Sequence, residues 1–161
     1  MNRRPWFAWV SLGARLILGG VLLVAGVLKV SDPETAAQAV RAYELLPPVL
    51  ADPVGWGLPF LEIAVGLLLI LGFGVRVTAA SAAALMVVFL IGVASAWARG
   101  LAIDCGCFGG GGKVDPGQTQ YLQEIVRDVG LLALAVWLCF NPASKFALES
   151  DPHAMSGETA S

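Results

Sequence analysis

The amino-acid sequence predicts an all-α fold: a four-helix transmembrane bundle with a short amphipathic helix in its first outer loop. Two observations predict that class. Of 161 residues, 57% are hydrophobic and only 14% charged, whereas a soluble domain carries about 25% charged residues and less than half apolar ones. Mean hydropathy is +0.76. The apolar residues also fall into four runs of about 20 residues, each long enough at about 1.5 Å per residue to cross a hydrocarbon core of about 30 Å. Inside lipid every backbone polar group must be satisfied within its own segment, so these runs are read as helices.

The first span is expected at about 7–30. The preceding MNRRPWF resembles the charged start of a secretory signal, but the apolar run is too long, contains Arg15 and ends in VLKVSDP without a small-residue cleavage site. It reads as an uncleaved anchor. In the loop that follows, Ser31 and Asp32 are cap residues, Pro33 suits the first helical position, and Glu34 completes a capping box with Ser31. Ala36, Val40 and Tyr43 then share one face before Pro47-Pro48 stops the helix. Such a helix lies on the membrane surface or covers the bundle.

The remaining spans are expected at about 55–73, 77–98 and 121–140, so that residues 1–140 form one membrane domain. The polar tail 141–161, with Pro142 and Pro152, buries little surface and is expected to be disordered and cytoplasmic. The sole histidine, His153, lies in it.

Orientation follows from Lys and Arg near the span ends. Arg3, Arg4, Arg76 and Lys145 lie on one side; Lys29, Arg41, Arg99 and Lys113 lie on the other. This four-against-four balance leaves the first helix and the short loops to decide. They favour both termini inside, with the loop Asp104 to Gly112, DCGCFGGGG, on the outer, oxidising face.

Charges within the spans need partners, since an isolated one near mid-bilayer costs at least about 2.5–3.5 kcal/mol. Arg15 lies about 12 Å into the first span and Glu62 about 10 Å into the second. Antiparallel packing leaves them about 8 Å apart along the normal, so they are expected to pair. Glu124, Arg127 and Asp128 open the fourth span; Arg127 is expected to snorkel while Asp128 turns inward. Arg15, Glu62 and Asp128 then either lock helices together or form a polar site for a quinone or a proton. Gly13, Gly20 and Gly26, with Ala79, Ala80 and Ala83, are expected to allow close helix packing.

The cysteines carry the sharpest chemistry. Cys105 and Cys107 flank a single glycine, and a bridge between them requires the bend that Gly106 permits. A small strained ring of this kind is reducible and suited to exchange. As a structural staple it closes so little chain that it gains little stability; a staple or an incidental turn stays the alternative to exchange. Asp104 beside the pair disfavours a thiolate, so reaction with an activated partner thiol suits the loop better than autonomous catalysis. Cys139 reads as a packing residue.

Several classes are excluded. A zinc site normally takes four Cys or His ligands, which this chain, with His153 remote and Cys139 across the membrane, is not expected to assemble alone; a metal shared with a partner is the open alternative, and no metal is expected. Nothing indicates nucleic-acid binding: net charge is −2 and no basic motif occurs. The glycines before Lys113 do not form a phosphate loop, because Cys107 and Val114 stand where that motif needs Gly and Ser or Thr.

GVLKVSDP, YELLPP, LPFLEIAVGLLLILGFGVR and DCGCFGG together resemble the methylamine utilisation protein MauE family, itself similar to DoxX-like four-helix membrane proteins. The resemblance covers about 12–138. It implies a multi-pass protein of the bacterial inner membrane that supports maturation of an exported, disulfide-containing client, methylamine dehydrogenase in methylamine users, alongside a periplasmic thioredoxin-like partner. The family's cysteine motif falls on Cys105 and Cys107 and its membrane glutamate on Glu62. No CxxC is present, which leaves enzymatic turnover open. Two alternatives stay open beside the exchange reading: a non-catalytic assembly factor, and a quinone-linked subunit of the DoxX-like kind.

Overall fold

In a computed structural model, residues 5–106, 110–115 and 117–142 are described; Cys107, His153 and the expected disordered tail beyond 142 lie outside them. The chain is mostly helical: α1 Pro5–Val30, α2 Pro33–Ala42, α3 Pro48–Leu71, α4 Val75–Ala98 and α5 Tyr121–Phe140. A two-residue antiparallel ladder, β1 Ile103–Asp104 with β2 Gly112–Lys113, pairs Ile103 with Lys113 and Asp104 with Gly112. The all-α expectation therefore needs one amendment, a small β clamp at the base of the cysteine loop.

Among the described residues three helices, α1, α3 and α4, are long and apolar enough to cross a membrane. α5 matches its expected boundaries but carries Glu124, Arg127 and Asp128 in its first half. The one large boundary correction is α3, which begins at Pro48 and not near Gly55. Pro48 occupies the first turn, where a missing N–H is no loss. Pro53 and Pro59 are accommodated inside the helix, as proline is in membrane helices whose neighbours satisfy the freed carbonyls. α3 ends in a left-handed Gly72, φ +74°, whose N–H caps Leu68 and Leu69.

α1 packs chiefly on α3 and α4 chiefly on α5. Leu18, Leu22, Leu69, Ala79, Ala82, Ala135 and Leu138 fill the space between the pairs. Two ends are marked by aromatic groups. Phe7 stacks on Trp137 at 5.8 Å, where α1 starts and α5 stops. Trp97 stacks on Tyr121 at 6.3 Å, where α4 stops and α5 starts. The lateral surface between them is apolar, with Ile17, Val24, Phe60, Val88, Ile91 and Val126 exposed. A belt at each end of an apolar wall is the pattern of a protein dissolved in a bilayer.

The small residues that permit close packing are only partly those expected. A Cβ on Gly26 would lie 2.7 Å from the Pro59 carbonyl, and one on Gly66 would lie 2.8 Å from the Gly19 carbonyl. Gly13 and Gly20 have nothing within 4 Å and face away from the seam. Ala79 is fully buried, Ala83 packs against the core and Ala80 is exposed.

α2 folds back over the start of α3, with Ala36, Ala37, Ala39 and Ala42 buried. Its cap is Asp32, whose side chain accepts from the Thr35 N–H at 3.1 Å and its hydroxyl at 2.6 Å. The expected capping box is absent: the Ser31 hydroxyl turns back to the Val27 carbonyl, and Glu34 binds Arg41 at 2.5 Å. The Thr35 bonds hold the Asp32 carboxyl below its usual range. The cap is therefore complete above the ordinary carboxylate range and is lost as pH falls through the lowered value. Arg41 also binds Asp52, tying α2 to α3, and its guanidinium is pushed further up, first by Glu34 and then by Asp52.

Candidate functional site at the cysteine end of the bundle

The loop between α4 and α5 is laced to the rest of the molecule. Tyr121 donates its hydroxyl to the Leu101 carbonyl and accepts the Ile103 N–H at 3.2 Å. Arg99 donates to the Tyr43 carbonyl, and Lys113 lies 3.7 Å from Glu44. The Tyr43 hydroxyl faces the Cys105 carbonyl at 3.5 Å. Cys105 is consequently buried, packed with Ala42, Val93, Ala96, Ile103 and Tyr121.

The glycines of this loop serve close approach as well as freedom. Gly106 adopts φ +68°, the bend expected between the two cysteines. A Cβ on Gly106 would lie 2.8 Å from the Ala39 Cβ, and one on Gly111 only 2.5 Å from it. Gly106 and Gly111 let the loop lie close against the alanine face of α2.

Two cavities border this loop, and a third lies between the helices. A polar cleft of about 760 Å³ is lined by Asp104, Cys105, Gln120, Gln123, Glu124 and Arg127. A mainly apolar chamber of about 270 Å³ lies between α2, α3 and α4, walled by Val40, Leu58, Pro59 and Phe89 and reached by Lys29, Tyr43 and Cys105. A third space of about 20 Å³ lies deeper, bordered by Lys29, Glu62, Arg127 and Asp128. Cys105 lines the first two, Arg127 the first and third, Lys29 the second and third.

The expected Arg15–Glu62 pair does not form. Glu62, fully buried, is bound by Lys29 at 2.6 Å, and Lys29 is itself only 8% exposed. Arg15 instead donates to the Ile70 carbonyl at 3.1 Å. The reason is register. Gly19 packs on Gly66 and Gly26 on Pro59, which sets Arg15 level with Ile70, eight residues or about 12 Å below Glu62. The shorter gap of about 8 Å followed from fitting both spans into about 30 Å, whereas α1 runs for 26 residues. Lys29, near the end of α1, reaches down along the apolar seam to the carboxylate.

Asp128 does turn inward, 2% exposed, and is held by Arg127 Nε at 2.9 Å. Glu62 Oε2 and Asp128 Oδ2 are buried with no hydrogen-bond partner among the described residues. The small cavity beside them has room for about one water. Arg15 is thus separated from the other two expected site residues, while Glu62 and Asp128 border one space. Lys29, Glu124 and Tyr43 belong to the site and were missed as such. The placing of Lys29 near the end of a span, in VLKVSDP, is the signal that pointed to it.

Residues 4–141 match the family model described as methylamine utilisation protein MauE. The chain is 38% identical over 132 residues to a methylamine utilization protein MauE of Methylorubrum extorquens, covering 81% of this chain and 69% of that one. It is 31% identical over 136 residues to its namesake of Paracoccus denitrificans, covering 84% and 72%.

The chain belongs to the MauE family.

No solved structure matches it. The MauE match spans all five helices and the cysteine loop, so the lysine–glutamate pair and the three cavities lie within the family domain.

Proposed function

We propose that this MauE-family protein is a four-span inner-membrane component of thiol–disulfide exchange, serving maturation of an exported protein in methylamine utilisation. Both termini are cytoplasmic and the cysteine loop is periplasmic. α5 is the fourth span, because it runs beside α4 from one aromatic belt to the other, with its carboxylates turned to the interior.

The observation that carries the reading is the position of Cys105. Cys105 lines both a polar cleft and an apolar chamber, on a loop that bends at Gly106. One cysteine forms a mixed disulfide with a partner and the other resolves it. Two electrons and two protons thereby pass between the client's dithiol and the pair, and a periplasmic thioredoxin-like protein exchanges them with the pair in turn. The apolar chamber favours a second reading, in which a quinone seated near Lys29 and Tyr43 takes the two electrons and two protons and leaves as quinol.

Cys105→Ser and Cys107→Ser are each expected to abolish client maturation at unchanged protein level. Each single variant should trap a reductant-sensitive adduct on non-reducing electrophoresis. Normal maturation without an adduct in both variants would reduce the protein to an assembly factor. Copurified quinone lost on filling the chamber, by Gly92→Leu, would favour the second reading.

Orientation has its own check. Reporter fusions after Gly112 should report the periplasm and fusions after Ser144 the cytoplasm, because Arg3 and Arg4 precede the first helix. The reverse result would put the cysteines in a reducing compartment and remove the exchange reading.

A further inference from the structure

The polar cleft gathers three metal-ligating side chains that disulfide exchange does not require together. We propose that Asp104, Cys105 and Glu124 form a binding site for a divalent cation of the Zn²⁺ class. One ligand atom from each lies within 4.8 Å of the others. They come from separate elements: Asp104 ends β1, Cys105 follows it, and Glu124 stands in the first turn of α5. The β clamp and the Tyr121 bonds to Leu101 and Ile103 hold those elements against each other.

Glu124 supplies the independent observation. It is 8% exposed, lines the cleft, and has an Oε2 that is buried without a hydrogen-bond partner among the described residues. A carboxylate oxygen removed from water without a donor is costly, and a cation is one group that offsets that cost. The cation on the cleft wall, Arg127, directs its Nε to Asp128 at 2.9 Å. Asp104 accepts the Gly106 N–H through Oδ1 at 3.2 Å, which orients its carboxylate beside Cys105.

The donor set selects the ion. Mg²⁺ and Ca²⁺ take oxygen ligands alone, whereas one thiolate with two carboxylates suits an ion of borderline softness. Three protein ligands leave a coordination position open, which water from the 760 Å³ cleft can fill. The thiol proton passes to solvent as the sulfur binds, and no electrons move. The site stands without the exchange reading. Its consequence rests on that reading: a cation on Cys105 withholds the sulfur from Cys107 until it is released.

The test uses the reduced, metal-stripped full chain in detergent, carrying an affinity tag without histidine, with equilibrium dialysis against Zn²⁺ and Co²⁺. One Zn²⁺ per chain is expected, and Co²⁺ should give a near-ultraviolet thiolate-to-metal charge-transfer band. Glu124→Gln should weaken binding at least about tenfold, and Cys105→Ser should remove the band, both with unchanged helical circular dichroism. Glu44→Gln, a carboxylate outside the cleft, should change neither. Binding that survives in both Glu124→Gln and Cys105→Ser, or Co²⁺ without the band, overturns the site. Trapped partner adducts without Zn²⁺ binding would sink this site and leave exchange standing; Zn²⁺ binding without adducts would do the reverse.

Discussion

Lys29→Met is expected to destabilise the protein by about 3–5 kcal/mol, because it leaves the fully buried Glu62 carboxylate without its cation. Glu62→Leu should cost a similar amount by stranding Lys29. The double variant should recover most of the loss, since a buried ion pair replaced by apolar side chains of similar volume is often neutral or stabilising. Unfolding in mixed micelles measures all three. A double-mutant cycle between Lys29 and Glu62 should therefore show strong coupling, while one between Arg15 and Glu62 should be close to additive. Coupling to Arg15 in place of Lys29 would overturn the helix register described for α1 and α3.

If the double variant regains stability but not client maturation, the pair has a working role beyond holding helices. Glu62, Asp128 and the water-sized space between them would be its site, in line with the general behaviour of ionisable groups inside a bilayer.

Gly66→Val should cost at least about 1–3 kcal/mol, the usual penalty of overpacking. The atoms in the way are backbone: the Gly19 carbonyl at 2.8 Å and the Leu23 nitrogen at 2.9 Å from a Cβ. Backbone cannot swing aside as a side chain can, so α1 and α3 must separate, and with them the Lys29–Glu62 contact. Gly20→Val, one residue from the seam with nothing within 4 Å, should leave abundance and unfolding nearly unchanged. Equal effects from the two would mean that the seam is not where this packing puts it.

Hydropathy alone determined that the chain is a helical membrane protein, because a bilayer admits few ways of satisfying a backbone and a span needs a minimum apolar length. It also placed the ends of α1, α4 and α5 within a few residues. DCGCFGG pointed to the family, and Gly106 adopts the left-handed bend that its place in the motif allows. Tertiary structure decided the partners. Periodicity says which side of a helix is apolar but not how far one helix slides along another, and that slide, set by Gly19, Gly26 and Gly66, gave Glu62 to Lys29 and Arg15 to a carbonyl. Likewise no spacing rule joins Glu124 to Asp104 and Cys105, because their closeness depends on where α5 starts against the β clamp. Contacts between residues far apart in sequence are made by packing, and packing is a property of the whole chain.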